Sequence, residues 1–145
     1  MQGDSGRALA QARLIAMLVY AGPLVVFPIV GRAAKASVSV DAEVLPVLAA
    51  VLGVVGVVDY GLSLFIEEKM LARARSGGRQ SQNAILATAV VVAAFGATLA
   101  VYGLVLTLLG APGWGSAFYV LTAAHGLHLV LRWPRYERAA EGTPY

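Results

Sequence analysis

Few side chains that can carry a proton or hold an ion lie inside the apolar stretches of this 145-residue chain. Asp59 and His125 are two of them, and His128 lies nearer the end of its stretch. A carboxylate at membrane depth is costly and by default marks a functional site. A carboxylate paired with a histidine titrates near neutral pH when burial and pairing offset each other. The pattern therefore predicts a proton relay or an ion site built on Asp59 and His125.

Helix geometry predicts that these groups share one depth. At about 1.5 Å of rise per residue, Asp59, His125 and Tyr20 each lie about 10–12 Å from the charged end of their apolar stretch. We expect these three side chains to form one buried polar layer, with Ser63 and His128 one turn closer to the same membrane surface. Two other interpretations stay open: an internal hydrogen bond fixes the helix register, or Asp59 faces water or a partner subunit.

The motifs of metal sites and of soluble enzymes are missing from the sequence. Cysteine is absent, and the two histidines are too few for a metal site or a bis-histidine haem between helices, although His125 and His128 share one helix face. No nucleophile elbow and no phosphate-binding loop follows a strand. Glu67, Glu68 and Lys69 have the pattern of a solvated helix end. We therefore expect no enzyme activity, no metal and no cofactor.

Composition predicts the elements that hold these groups. Hydrophobic residues make up 59% of the chain and charged residues 13%, whereas soluble domains carry about 25% charged residues. A helix needs about 20 residues to cross a hydrocarbon core of about 30 Å. Four apolar stretches approach or exceed this length, at about 14–30, 44–66, 84–109 and 114–133. We predict an all-α bundle of four transmembrane helices in the lipid bilayer, forming a single domain over residues 1–145.

The connections between these stretches are short. Polar linkers are predicted at 31–43 and 67–83, and a tight turn at 110–116. Trp114 and Trp133 bracket the fourth stretch, as expected for indole rings at the two membrane interfaces. Nothing in the sequence marks a boundary between domains.

The charge pattern predicts the orientation. With four spans, nine of the eleven basic residues fall on the side shared by the N-terminus, the middle loop and the C-terminal tail. Because basic residues are retained on the cytoplasmic side, we predict that both termini are cytoplasmic, and we expect the bacterial inner membrane as the location. The basic residues flank spans and lack interleaved aromatic residues, so we expect no nucleic-acid binding.

The first stretch has a second interpretation. Arg7 and Arg13, an apolar run, and the sequence Ala-Lys-Ala at 34–36 before Ser37 resemble a secretory signal with its cleavage site. Cleavage there would leave three spans and place the new N-terminus outside. The apolar run is longer than a usual signal core, so we expect the first span to be retained.

Small residues are predicted to hold the helices together. In lipid, helices associate through close van der Waals contact at small side chains. The glycines with suitable positions are Gly53, Gly56 and Gly61 in the second stretch, Gly96 in the third and Gly126 in the fourth. The same surfaces suit contacts with further copies of the chain or with other membrane subunits, so we expect a homo-oligomer or a larger complex.

The third stretch carries a family resemblance. Residues 99–106 read LAVYGLVL, which resembles the A-I-Y-G-L-V stretch in the ion-carrying helix of the proteolipid (c) subunits of rotary ATP synthases. Four-span bacterial membrane proteins with this stretch also resemble the end of the chain, where RWPRY at 132–136 follows the last span. The c-subunit pattern has its ion-binding carboxylate five positions before the tyrosine, where this chain has Ala97. The resemblance therefore implies no ion-carrying residue on this helix.

The fourth stretch is similar to a second energy-transducing protein. Residues 118–128 read FYVLTAAHGLH, which is similar to the T-G-x-H-G-L-H helix of haem–copper oxidase subunit III, a subunit that holds no redox metal and supports the catalytic one. Together the two resemblances imply a non-catalytic subunit or accessory protein of an energy-transducing membrane complex. The alternative is a proteolipid-like subunit that translocates protons or ions through Asp59 and His125, with several copies assembled.

Overall fold

The computed structural model describes residues 2–34, 40–75 and 79–141, which form four α-helices without a strand. The prediction of an all-α fold is therefore confirmed for the described chain. In chain order the helices are α1 Gln2–Ala33, α2 Val44–Ala74, α3 Arg79–Leu108 and α4 Pro112–Glu141. The predicted cleavage site extends into 35–39, which lie outside the described residues.

Three of the helices are long and apolar enough to cross a membrane. By length and composition these segments are Leu9–Ala33 in α1, Val44–Ala74 in α2 and Asn83–Leu108 in α3. α4 is as long as α3, with 30 residues each, but it carries His125 and His128, whose polar rings lower its mean hydropathy. The first three predicted spans thus correspond to helices of suitable composition.

The helices extend beyond the predicted apolar stretches. α2 runs to Ala74 and α3 begins at Arg79, so helix replaces most of the polar linker predicted over 67–83. This segment is rich in Glu, Lys, Leu, Ala and Arg, which are strong helix formers. α4 begins at Pro112, inside the predicted turn, because proline suits the first position of a helix. Gly110, with φ of 89°, reverses the direction of the chain in the short connection that remains between α3 and α4.

α3 and α4 form the central pair of the bundle. Each packs against the three other helices, whereas α1 and α2 do not contact each other within the described residues. α3 can approach all its neighbours because its inward positions are small: Ala89, Ala93, Gly96 and Ala100 are buried. Within the described chain, packing contacts therefore connect α1 to α2 only through α3 and α4.

The buried side chains form two clusters, one in each half of the bundle. We call the half with the beginning of α1 and the end of α4 the terminal half, and the other the distal half. The terminal cluster draws on all four helices and contains Ala12, Ala16, Tyr20, Leu71, Ala74, Ile85, Ala89, Val92, Ala93, Leu129, Trp133, Tyr136 and Ala139. The distal cluster has no residue of α1 and contains Ala49, Leu99, Leu106, Ala111 and Phe118.

Three of the five glycines predicted to pack the helices make close approaches. A Cβ at Gly56 would lie 2.7 Å from Leu99 Cδ2, and a Cβ at Gly126 would lie 3.3 Å from Tyr20 Cδ1. A Cβ at Gly96 would overlap the ring of Tyr20. These glycines therefore allow neighbouring helices to come together where a larger residue would hold them apart.

The two other glycines do not pack helices together within the described chain. A Cβ at Gly53 or Gly61 would meet nothing within 4 Å, because Gly53 borders an open groove and Gly61 is exposed. This corrects the expectation for these two positions in the single chain. A close approach that the sequence did not reveal joins α3 to α4, where a Cβ at Gly103 would lie 2.8 Å from the Gly115 carbonyl oxygen.

The two tryptophans of α4 have different environments. Trp114 is 50% exposed at the beginning of the helix, which fits the predicted interfacial position. Trp133 is buried and stacks on Tyr136, with ring centroids 5.0 Å apart and planes 7° apart. The neighbouring Tyr136 ring and the surrounding core thus enclose the indole of Trp133, and its position at the membrane interface stays a prediction.

Candidate functional site

All four helices meet at His125. The Tyr20 hydroxyl is hydrogen bonded to His125 Nδ1, and Ser63 Oγ lies 3.2 Å from His125 Nε2. Tyr20 belongs to α1, Ser63 to α2 and His125 to α4, and Gly96 of α3 lies against the Tyr20 and His125 rings. The three polar residues are each at most 7% exposed. They form a buried polar layer between the terminal and distal clusters, which we call the His125 layer.

The partners of His125 determine which atom carries each hydrogen. Ser63 Oγ donates to the carbonyl oxygen of Tyr60 at 2.8 Å, so it acts as an acceptor toward His125. Nε2 of His125 therefore carries the ring hydrogen, and Nδ1 of the neutral imidazole accepts the hydroxyl of Tyr20. The series of hydrogen bonds ends at a backbone carbonyl, which cannot pass a proton on. This arrangement suits a layer that fixes helix register.

A second set of polar contacts leads from Tyr60 toward the terminal half. Tyr60 Oη lies 3.2 Å from His128 Nδ1, and Arg132 Nη1 lies 3.3 Å from His128 Nε2. A guanidinium only donates, so Nε2 accepts and the hydrogen of a neutral His128 is on Nδ1, facing Tyr60 Oη. The Tyr60 ring also meets the His125 ring edge-on, with centroids 5.2 Å apart. Tyr60 thus lies between the two histidines of α4.

Glu67 is buried, so the expectation of a solvated helix end is wrong for this residue. Its exposed fraction is 1%, and its Oε2 forms an ion pair with Arg132 Nη2 at 3.3 Å. Glu67 follows Ser63 by four residues, so the continuing helix places both on one face, which is directed into the bundle. Glu68, the next residue, is exposed. The carboxylate of Glu67 therefore joins α2 to α4.

Three buried atoms beside this ion pair make no hydrogen bond of good geometry among the described residues, although the Tyr136 phenol lies close to the Glu67 carboxylate. They are Glu67 Oε1, Arg132 Nε and Tyr136 Oη. Burial raises the pKa of the Tyr136 phenol, and the neighbouring Glu67 carboxylate raises it further, so the phenol keeps its hydrogen at neutral pH. A buried polar atom left unpaired costs about 1–3 kcal/mol. One water molecule between these two donors and one acceptor would remove much of that cost.

Asp59 is paired with Tyr102 in the described chain and is not hydrogen bonded to His125. The Tyr102 hydroxyl donates to Asp59 Oδ2 at 2.9 Å, which links α2 to α3. Asp59 lies one turn from Ser63, and the rotation of α2 directs Ser63 to His125. Of the residues predicted to share the layer, the structure therefore brings Tyr20 and His125 together and places Asp59 in a separate contact.

Ser63 was predicted one turn from the polar layer and not in contact with His125, and no contact was predicted for Tyr102. A signal was present for Ser63, because Ala49, Gly56 and Ser63 follow one another at intervals of seven residues, or two helical turns. All three are buried, so this spacing of small residues marks the inner face of α2. No comparable signal identifies the partner of Tyr102.

Two grooves run along the sides of α4. A cavity of about 390 Å³ lies between α2 and α4, with Gly53, Tyr60 and His128 in its wall. A second cavity of about 350 Å³ lies between α1 and α4 beside Tyr20. The described residues contain no group of three His, Asp or Glu side chains placed to hold a metal ion. The wall of the α2–α4 groove is mostly apolar, and Tyr60, His125 and His128 are the polar side chains in it.

Comparisons with known proteins identify no relative of this chain. No protein-family model matches the chain, and neither the curated proteins nor the solved structures contain a significant match. The resemblances to ATP synthase c subunits and to oxidase subunit III therefore stay predictions from short segments.

Proposed function

We propose that this chain is a non-catalytic, four-span membrane protein that acts as a subunit or accessory of an energy-transducing complex. The two short sequence resemblances support the assignment to an energy-transducing complex, and the inside-out distribution of side chains carries the assignment to the membrane. Large apolar side chains are exposed on every helix, while Ser63, Glu67 and His125 are buried and have partners inside the bundle. An apolar surface of this extent suits contact with lipid or with other membrane helices.

The outward face of α4 supports a fourth span. The large hydrophobic residues exposed on this helix are Trp114, Val120, Leu121, Leu127, Val130 and Leu131. From Trp114 to Leu131 the helix rises about 26 Å, close to the thickness of a hydrocarbon core. His125 and His128, which lower the mean hydropathy of α4, are hydrogen bonded to side chains of α1 and α2.

Four spans put both chain ends on one side of the membrane, and the basic residues favour the cytoplasmic side of a bacterial inner membrane. A reporter fused after Tyr145 tests this orientation. We expect a reporter that works only in the cytoplasm to be active and a reporter that works only after export to be inactive. The reverse result would contradict the proposed topology of four spans with both ends in the cytoplasm.

The His125 layer supports a structural role for the buried polar residues. An imidazole that transfers a proton needs at least one ring nitrogen open to a substrate, a water molecule or another carrier, whereas both ring nitrogens of His125 have protein partners in the layer. The connections between the helices are also short, which leaves little chain for a substrate domain. These features favour a protein that supports a larger assembly.

Affinity purification in mild detergent tests the accessory role. The full chain, tagged at its C-terminus, is isolated from its native membrane, and the recovered subunits are quantified by mass spectrometry. We expect subunits of an ATP synthase or a terminal oxidase in fixed ratio to the chain. A matched purification with an unrelated four-span protein controls for abundant membrane proteins. Recovery of the chain alone as a monomer would contradict the proposal.

A second candidate is ion translocation by a proteolipid-like assembly, and Asp59 is the observation that favours it. Its carboxylate lies at membrane depth with one hydrogen bond, from Tyr102. If copies carry protons, vesicles with the wild-type chain conduct them, and Asp59→Asn abolishes the flux while Glu68→Gln, an exposed carboxylate of the same helix, does not. Under the accessory proposal, the wild-type chain gives no flux above empty vesicles.

A further inference from the structure

The groove between α2 and α4 has the size and wall of a small-molecule site. Its volume is about 390 Å³, within the usual range for ligand pockets of about 300–1,000 Å³. Gly53 and Gly56 open it on the α2 side, and Leu99 and Phe118 border it on the other sides. The large apolar residues exposed on α2 and α4 place this groove on the lipid-facing surface of the bundle.

The hydroxyl hydrogen of Tyr60 is the polar group that this groove offers to a ligand. His128 directs its Nδ1 hydrogen to Tyr60 Oη, because Arg132 occupies the other ring nitrogen. The phenol oxygen therefore accepts, and its own hydrogen is available to an acceptor in the groove. The nitrogens of His125, which also lines the groove, are taken up by the His125 layer. A ligand that fits must therefore bring a hydrogen-bond acceptor.

Depth restricts the class of molecule that can present this acceptor. Tyr60 lies eight residues before the exposed Glu68, or about 12 Å along the helix axis. A phospholipid carries its ester carbonyls near the interface, well short of this depth. A charged head group is excluded by the cost of entering hydrocarbon. An uncharged head group with a carbonyl, carried on a long apolar tail, meets both conditions.

We propose that the α2–α4 groove binds the head group of a lipid-soluble quinone. One quinone carbonyl accepts the Tyr60 hydroxyl hydrogen, and the flat ring lies among the aromatic side chains of the groove, Phe118, His125 and His128. The apolar tail extends along the outward surface into lipid. The inference rests on the proposed function in placing α2 and α4 in the membrane, and the Tyr145 reporter tests the orientation of the chain separately from quinone binding. The inference concerns binding and does not depend on which complex the chain joins.

Filling the groove gives the first test. Gly53→Leu adds a side chain to the wall, and no atom lies within 4 Å of the position where its Cβ would be, so the fold is expected to accept it. Gly61→Leu is the matched control, since its Cβ position is equally open and lies outside the groove. The probe is a benzoquinone with a ten-carbon alkyl tail, titrated calorimetrically into the full chain in phosphatidylcholine nanodiscs. Empty nanodiscs supply the baseline for partition into lipid.

We expect saturable binding to the wild-type chain and to Gly61→Leu, and at least tenfold weaker binding to Gly53→Leu. An alkylbenzene with the same tail has no carbonyl and should bind only as it does to empty discs. Equal binding of the quinone to both glycine variants would overturn the proposal. Equal binding of the alkylbenzene and the quinone would also overturn it, because the groove would then hold only an apolar chain.

The hydroxyl of Tyr60 gives the second test. Tyr60→Phe removes one neutral hydrogen bond to the ligand and should weaken quinone binding roughly three- to tenfold. Tyr119→Phe is the control, because the Tyr119 hydroxyl is buried without a hydrogen-bond partner in the described chain and does not line the groove. Circular dichroism verifies that both variants are folded. Unchanged quinone affinity in a folded Tyr60→Phe variant would overturn the assignment of the carbonyl contact.

Discussion

The terminal and distal halves of the bundle differ in the size of the buried cluster that each contains. In the terminal half all four helices contribute buried side chains, and the Glu67–Arg132 ion pair adds a link from α2 to α4. In the distal half the buried cluster is smaller and has no residue of α1. The α2–α4 groove extends from the His125 layer into this half, beside Gly53 and Phe118.

Because of this difference, we expect substitutions in the terminal cluster to change stability and substitutions beside the α2–α4 groove to change binding. The terminal half has the larger enclosed core, so changes there should act on the free energy of unfolding. The α2–α4 groove extends into the distal half, where a ligand or a partner helix can be accommodated without rebuilding the terminal cluster. The terminal half borders the other groove, between α1 and α4. Between the two halves, the His125 layer fixes the four helices relative to one another through Tyr20, Ser63 and His125.

The largest effect on stability is expected for Arg132 in the terminal half. Arg132→Met leaves the Glu67 carboxylate buried without its ion-pair partner, and breaking such a pair costs about 3 kcal/mol or more. Replacing both residues, as Glu67→Leu with Arg132→Met, should recover at least half of this loss because no charge is left unpaired. Reversible unfolding of the purified chain in mixed detergent micelles measures both variants.

Arg13→Met controls for the loss of a positive charge in the same half, because Arg13 is exposed. We expect its effect to lie within about 0.5 kcal/mol of zero. If Arg132→Met were as stable as this control, the ion pair would not contribute to the stability of the terminal half.

Gly96 tests the boundary between the two halves. In Gly96→Ala the new Cβ would lie 2.6 Å from His125 Nδ1 and would overlap Tyr20, so the His125 layer must spread. Overpacking of this kind costs about 1–3 kcal/mol, and the better helix propensity of alanine offsets at most about 1 kcal/mol. We expect a net loss of about 1–2 kcal/mol, measured by the same unfolding assay.

Gly61→Ala gains the same helix propensity without meeting another atom, so it should be neutral or slightly stabilising. The difference between the two alanine variants isolates the contact at the layer. Equal stability of the two variants would show that the helices do not approach closely at Gly96.

Hydropathy predicted where the helices lie in the sequence but not where they end. The apolar residues of α1, α2 and α3 mark segments that suit a bilayer, and these segments are helical. The ends of the helices depend on intrinsic propensity outside the membrane, which a hydropathy criterion ignores, so α2 continues beyond Glu67 to Ala74. The stacking of Trp133 on Tyr136 was not predicted for a similar reason, because Tyr136 lies beyond the apolar stretch.

Depth could be predicted for the polar residues, whereas rotation about the helix axis could not. Counting residues from the charged ends of the stretches correctly brings Tyr20 and His125 to one level. Asp59 and Ser63 are one turn apart on α2, and only the packing of α2 against α3 and α4 decides which of them reaches His125. That packing depends on contacts between helices, which residue counting along one helix does not contain.

The smallest effect is expected when the same substitution, isoleucine to valine, is made in each half of the bundle. Ile85 is 1% exposed in the terminal cluster, whereas Ile29 is 62% exposed near the distal end of α1. Removing one methyl group in Ile85→Val leaves a small void in protein packing and should cost about 0.5–1 kcal/mol. Lipid or detergent chains refill the space at Ile29→Val, so its cost should be close to zero, since hydrocarbon is as apolar as the core. If the two variants lost the same free energy of unfolding, the terminal half would be no better enclosed than the distal half, and the assignment of stability to one half and binding to the other would fail.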